Sequence, residues 1–197
     1  MTAQAGDTTS SLARRKSAVR TSVRDLRRSL AASARRQAAR RAARHLARAV
    51  RIWSARHVAV YLSMAEEFDT APLITLLRRN GCALYVPKLA GPGHLRFARL
   101  AAGTALRRNR YGIAEPVAAV RPARLDLILL PLVAFDAQGR RLGMGGGYYD
   151  RLLARPRRRP LRVGLAFASQ EVAAVPEEAR DVRLDAVITE RGLRRFR

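Results

Sequence analysis

Apolar residues recur along this chain with two different periods, and the change between them falls near residue 57. Val19, Val23, Leu26 and Leu30 are spaced by four, three and four, which makes one stripe of an amphipathic helix starting at Arg14. Ser33 has the chemistry of an N-cap for a second helix that runs to about Trp53, with Ala39, Ala43, Leu46, Val50 and Trp53 on its apolar side. Upstream of both, residues 1–13 are small and polar and predict a disordered extension. From His57 onward the pattern becomes short apolar runs separated by turns. "HVAVYLS" at 57–63 reads as a buried strand, and "APLITLLRRN" as a helix capped by Asp69 or Thr70 and ended by Asn80-Gly81. "CALYVPK" reads as a strand stopped by Pro87, "HLRFARL" as a short strand, and "NRYGIAEP" as irregular. "LDLILLP" at 125–131 is, after Asp126, a continuous apolar run, as expected of a strand covered on both faces. A short helix at about 147–154, a connection "RPRRRP" at 155–160, and two further strands, "LRVGLAF" and "DAVIT", complete the pattern. Apolar strands alternating with helices predict an α/β fold with a mainly parallel sheet.

The step from the 125–131 strand to the helix that follows it carries the densest signal. "GRRLGMGGGYYDRLL", residues 139–153, holds five of the chain's thirteen glycines, four of them within 143–147. Glycine lets a backbone approach an anion closely, and a strand–loop–helix order sets free N–H groups beyond a strand's carboxyl end. Arg140 and Arg141 add charge, and Asp150 follows one helical turn later, where it could meet a magnesium ion carried by a phosphate. Neither standard nucleotide template fits. No lysine supplies a Walker-type loop, and Tyr148 stands where a dinucleotide loop needs its third glycine.

Composition changes this picture at one point. The 197 residues are 48% apolar, enough for a sizeable core, and no apolar run approaches a membrane span. One cysteine, Cys82, excludes an internal disulfide framework, and the chain is expected to be intracellular. The formal net charge, however, is +24, and only Lys16 and Lys88 among its cations are lysine. Residues 14–56 hold fifteen cations against one acid, Asp25. Such a balance suits nucleic acid, an anionic surface or a polyanionic small ligand. Only Trp53 among these basic residues offers a stacking ring, so nucleic acid is not the expected partner. The arginine-rich, acid-poor start also has the composition of an organellar transit segment.

The segment "LDLILLPLVAFDAQGRRLGMGGGYYDRLL" resembles the signature of the 5-formyltetrahydrofolate cyclo-ligases, also called methenyltetrahydrofolate synthetases. "RKSAVR", "YLSMAEEFDT", "YVPK", "LRFARL", "YGIAEP", "LRVGLAFASQEV" and "VPEEARDVRLDAVITE" follow in that family's order. The resemblance implies a three-layer α/β/α sandwich with a helical N-terminal segment and a single domain over 14–197. It implies ATP-dependent conversion of 5-formyltetrahydrofolate to 5,10-methenyltetrahydrofolate with magnesium, by phosphorylation of the formyl oxygen and attack by N10. Position by position, it implies ATP contacts at Lys16, Arg20, Arg141, Gly143, Gly145, Gly146, Gly147, Tyr148 and Tyr149. It implies folate contacts at Leu62, Glu67, Met144, Gly145, Gly146, Gly147 and Tyr148, with Tyr148 and Arg141 the residues nearest the chemistry. Asp150 and Asp181 would hold the metal. Asp181 sits in "RDVRLD", which departs from the family's usual pattern, so Asp185 is kept as an alternative. Some relatives carry lysine where this chain has Gly146, so Arg140 or Arg141 is expected to supply that charge. The expected protein is a cytoplasmic monomer with small-molecule partners and no membrane contact. Any transit cleavage must then fall before about residue 14, because Lys16 belongs to the site.

Overall fold

The computed structural model describes residues 3–118, 124–154 and 160–196. Helix α1 (Ala3–Ser29) and helix α2 (Ala32–Ile52) come first. α1 begins at Ala3, upstream of Arg14, where the composition suggests disorder; no proline interrupts the segment, and extending a nucleated helix costs little. The buried positions of α1 are Lys16, Val23 and Arg27, flanked by the partly buried Val19, Arg20 and Leu30, whereas Leu26 is exposed. The inward face thus includes cations, and counting apolar residues alone puts its centre in the wrong place. α2 starts one residue before Ser33, with Ala31 at its N-cap and no side-chain cap. Its inward face is Ala38, Ala39, Ala42, Ala43, Leu46, Ala49 and Val50. Small alanines let this helix lie close to the sheet, and the arginines between them face solvent.

The remaining elements are β1 (His57–Ala59), α3 (Ala71–Arg79), β2 (Ala83–Leu89), β3 (Leu95–Arg99), β4 (Leu106–Arg108), β5 (Ala114–Pro116), β6 (Leu127–Pro131), β7 (Ala134–Phe135), β8 (Arg141–Leu142), α4 (Tyr148–Leu153), β9 (Leu161–Leu165), β10 (Ala186–Thr189) and β11 (Gly192–Arg195). Seven strands form one sheet in the order β11-β10-β9-β6-β1-β2-β3. The five inner strands are parallel, and the edge strands β3 and β11 are antiparallel to their neighbours. Pro87 lies inside β2 rather than ending it. Tyr85 O accepts from Val60 N–H at 2.8 Å and Leu84 O from Leu100 N–H at 2.8 Å, so odd positions face β1 and even ones face β3. β1 has ended where Pro87 turns toward it, and no ladder bond is lost.

Both faces of the sheet are covered, as the apolar run at 125–131 requires. Leu127 and Leu129 of β6 join α2, α3, Val58, Val163 and Ile188 on one face. Ile128 and Leu130 join Tyr85, Phe135, Leu153 and Val187 on the other. The second outer layer is thin, because its one described helix, α4, has six residues and irregular segments supply the rest. α1 crosses the carboxyl end of the sheet, where Val23 packs on Val133, Ala134, Leu142 and Val175. Residues 109–116, expected to be irregular, end in β5, which pairs antiparallel with β4 to make a two-stranded ribbon. The connection at 155–160 lies, apart from Pro160, outside the described residues. No described helix is long and apolar enough to cross a membrane.

Candidate functional site

The chain runs from β1 outward to β2 on one side, and from β6 outward to β9 and β10 on the other. β1 and β6 are therefore the strands at which the order reverses, and ligands of open α/β sheets bind beyond the carboxyl ends of such strands. β1 delivers Leu62 and the turn carrying Glu67 to that edge. β6 delivers the β7–β8 hairpin and the glycine loop, and α1 lies across both.

Three cation–carboxylate contacts, made by two cations, anchor one half of this edge. The buried Lys16 Nζ lies 2.6 Å from Asp181 Oδ2 and 3.1 Å from Glu178 Oε1. Arg141 Nη2 lies 2.5 Å from Asp150 Oδ1, which also accepts the Val182 N–H at 3.2 Å. That second bond joins the segment bearing Asp181 to the helix bearing Asp150. One turn after Lys16, Arg20 donates from Nε to Gly143 O at 2.9 Å. Burial lowers the Arg20 guanidinium from its ordinary value and Arg24 adds repulsion, while Asp181 and Glu178 oppose both. Arg141 Nε is buried without a hydrogen-bond partner.

The loop between these anchors has a backbone that only glycine adopts readily. Gly145 has φ +104° and Gly147, the N-cap of α4, has φ +62°. A β-carbon at Gly145 would stand 3.5 Å from the Arg20 guanidinium carbon, so the open side of the loop faces that cation. Arg151 ties the outer side down, donating to Gly146 O at 2.5 Å and Gly93 O at 2.7 Å. The helix behind the loop has only six residues, so what the loop can offer an anion is mainly its own N–H groups and the neighbouring arginines rather than a helix dipole.

The other half of the edge is less polar. Leu62 packs against the main core. Glu67 Oε2 accepts the Met64 N–H at 3.0 Å, and burial raises this carboxyl above its ordinary range, against the pull of that hydrogen bond and of Arg27. Burial pushes the Tyr149 phenol up as well, and the charge of Glu67 adds to the effect. Met144 Sδ accepts from Arg24 at 3.0 Å. Tyr148 turns outward, its hydroxyl 2.8 Å from that of Tyr111 and 3.2 Å from Arg110 Nη2.

The structure thus gathers Lys16, Arg20, Arg141, Gly143, Gly145, Asp150 and Asp181 at one edge, with Leu62, Glu67 and Tyr149 beside them. Asp185 does not join them: it accepts three hydrogen bonds from Arg162 at the amino ends of β9 and β10, so Asp181 is the acid at this edge. Arg140 also faces away, toward Asp136 and Glu177, which leaves Arg141 as the arginine of that pair in the site. Pattern reading missed Glu178, Arg151 and Arg27. Arg27 had a usable signal: it lies four residues after Val23 and three before Leu30, on the helix's buried stripe.

An open, mainly parallel sheet with a cation-rich glycine loop at its point of reversal defines the class: an open α/β protein, a fold whose ligands generally lie beyond the carboxyl ends of such strands. The model of the 5-formyltetrahydrofolate cyclo-ligase family matches residues 13–190, and the chain belongs to that family. It is 44% identical over 142 residues to the 5-formyltetrahydrofolate cyclo-ligase of Escherichia coli K12, covering 68% of this chain and 78% of that one. The Haemophilus influenzae cyclo-ligase is 36% identical over 173 residues, covering 84% and 92%. Among solved structures, the 5,10-methenyltetrahydrofolate synthetase of Aquifex aeolicus superposes with a TM-score of 0.77 at 34% identity, covering 92% of this chain and 93% of that one. The synthetase of Mycoplasma pneumoniae shares the fold with a TM-score of 0.72 at 22% identity, covering 89% and 98%.

Proposed function

We propose that this protein closes 5-formyltetrahydrofolate to 5,10-methenyltetrahydrofolate at the expense of ATP, releasing ADP and phosphate. The observation that carries the reading is the convergence of Lys16, Arg20 and Arg141 with Asp150 and Asp181 around the glycine loop, next to the Glu67 turn, in a chain of this family. A formyl oxygen is a poor leaving group. Once it attacks the γ-phosphorus and ADP departs, the same oxygen leaves readily as phosphate when N10 attacks the formyl carbon and gives up its proton. A site for this chemistry supplies mainly positioning and charge neutralisation.

The chain's own residues suit those tasks. Lys16, Arg20 and Arg141 would neutralise the triphosphate, and the N–H groups of 143–147 would orient its terminal phosphate. Glu67 and Leu62 would hold the folate ring, with Met144 and Tyr148 between the two substrates. Magnesium carried by a nucleotide needs one or two carboxylates and fills its other positions with phosphate oxygens and water. Asp150 and Asp181 fit that need, because they lie on hydrogen-bonded segments and each engages its cation through one named oxygen. Among the described residues no group of three or more His, Cys, Asp or Glu side chains could hold a metal ion by itself, so an ion here would take most of its ligands from the nucleotide and water. When bound there, the ion would supply charge neutralisation to the phosphate oxygens. The expected setting is the cytoplasm, where ATP and reduced folates meet. The test is coupling: purified protein with Mg-ATP should release ADP only when 5-formyltetrahydrofolate is present. Equal ADP release without the folate would refute the reading.

A further inference from the structure

The proposed chemistry gives no task to "YGIAEP", residues 111–116, yet the structure carries the start of this motif onto the glycine loop. The turn between β4 and β5 is built to hold one shape. Asn109 Oδ1 accepts the N–H groups of Tyr111 at 2.9 Å and Ile113 at 3.1 Å, and Arg108 Nη1 donates to Gly112 O at 2.6 Å. Asn109 Nδ2 donates at 2.7 Å to Oε1 of the buried Glu115, which also accepts the Leu89 N–H at the end of β2, at 2.9 Å. Lys88 Nζ donates to Pro116 O and Val117 O at 2.7 Å each. The ribbon is thereby fastened to the central sheet, although its own strands are only three residues long.

From this turn Arg110 and Tyr111 reach Tyr148, the first residue of α4. The Tyr111 hydroxyl lies 2.8 Å from that of Tyr148, and Arg110 Nη2 donates to the Tyr148 oxygen at 3.2 Å. The two rings meet edge to face, at 82° and 6.3 Å between centroids. The guanidinium of Arg110 lies 4.9 Å from the Tyr111 centroid and that of Arg151 lies 5.5 Å from the Tyr148 centroid. On its other side the Tyr148 ring packs on the loop itself, where a β-carbon at Gly146 would stand 2.8 Å from Cδ2. Residues 145–147 have no side chains with which to anchor themselves, and glycine loses more backbone entropy on being fixed than any other residue. Arg20 holds the start of the loop and Arg151 its middle. Tyr148 holds its end, and the ribbon holds Tyr148. Tyr111 is 52% exposed, so this cluster buries little and adds little to the stability of the fold.

We propose that Tyr111 and Arg110 are positioning residues for the reaction: they fix the Tyr148 phenol, and through its ring the end of the glycine loop, in the arrangement that meets the triphosphate. N–H groups already in place need no reorganisation as charge moves, and misplacing a positioning group by about 1 Å can cost about 100-fold in rate. This inference rests on the reading of the glycine loop as the phosphate site.

The test is a double-mutant cycle in the full-length protein, with Tyr111→Phe, Tyr148→Phe and the pair together. Tyr111→Phe removes one hydroxyl and keeps the ring contact. Its kcat should fall about three- to tenfold, the scale of one neutral hydrogen bond. KM for each substrate should stay within about threefold and the melting temperature within about 2 °C of wild type. Tyr148→Phe gives up the bonds to both Tyr111 and Arg110 and should fall as far or further. In the Tyr148→Phe background, Tyr111→Phe should have no additional effect. An unchanged kcat in Tyr111→Phe, losses that multiply in the double variant, or a fall in kcat matched by a lower melting temperature would overturn the inference. A wild type that releases no ADP in the presence of the folate would remove the underlying reading and the inference with it. Normal wild-type turnover with independent effects of the two substitutions would remove the inference alone.

Discussion

Two adjacent arginines, Arg140 and Arg141, enter the glycine loop, and the structure separates their roles. Arg141 has 4% of its side chain exposed and holds Asp150 at 2.5 Å. Changing it to methionine fills the space and removes the cation. A fully buried carboxylate stripped of its partner loses about 3–5 kcal/mol. Asp150 is 23% exposed and keeps the Val182 N–H, and the change also removes the unpartnered Arg141 Nε. These offsets bring the expected stability loss to about 1 kcal/mol, or roughly 2–4 °C in Tm for a chain of this size. The catalytic loss should be larger. Removing one preorganised charge from a transferring phosphoryl group costs about 100- to 1,000-fold, or roughly 3–4 kcal/mol of barrier. Arg140→Met is the control. That side chain is 30% exposed and bonds Asp136 and Glu177, away from the loop, so it should lose about 1–2 kcal/mol of stability and keep kcat/KM for ATP within about threefold. Urea unfolding and steady-state kinetics with varied ATP measure both quantities on both variants. Comparable kinetic losses in the two, or a near wild-type Arg141→Met, would refute the assignment.

Three other substitutions probe separate parts of the account. Lys16→Met leaves Asp181 and Glu178, 21% and 31% exposed, without their shared cation; it should cost about 1–2 kcal/mol in urea unfolding and raise KM for ATP at least tenfold. Gly145→Ala forces a side chain onto φ +104°, which should cost about 1–3 kcal/mol and lower kcat, while thermal melts remain cooperative. Asp126 Oδ2 accepts the N–H groups of Arg56 and His57 at 2.9 Å each, ahead of β1. Burial pushes its carboxyl up, but these hydrogen bonds outweigh burial and its net pKa lies below the ordinary aspartate value. A depressed folded-state pKa stabilises above the unfolded value and is lost as pH falls through the folded one. Asp126→Ala should therefore cost about 1–2 kcal/mol at neutral pH, and the gap to wild type should close as pH falls below about 4.

Elements with an undivided apolar period were legible in the sequence. β6, β9 and β10 fall inside the runs that announce them, and the alanine face of α2 is the one the heptad-like spacing picks out. The pattern failed where tertiary geometry supplies what local chemistry lacks. Pro87 looked like a strand end because the early termination of β1 cannot be seen from β2 itself. The β4–β5 ribbon and β11 carry arginine where an edge strand needs no apolar face. The glycine loop was legible through its density, and Asp150 through its place one turn later. The family resemblance puts Asp181 first with Asp185 as its alternative, and the structure separates the two: Asp181 meets Lys16 at the carboxyl edge, whereas Asp185 meets Arg162 at the amino ends of β9 and β10, four positions along the chain but at opposite ends of the sheet. Arg27 was hidden by its own type, since a charged residue on a stripe is read as an interruption rather than as part of the buried face.

The measurement that bears most directly on the central claim is the near-ultraviolet absorbance of the methenyl product, followed while purified protein acts on 5-formyltetrahydrofolate and Mg-ATP. The account predicts a rise that requires ATP, runs in step with phosphate release, and falls at least 100-fold in rate in Arg141→Met. Folded protein that gives no ATP-dependent rise would contradict it.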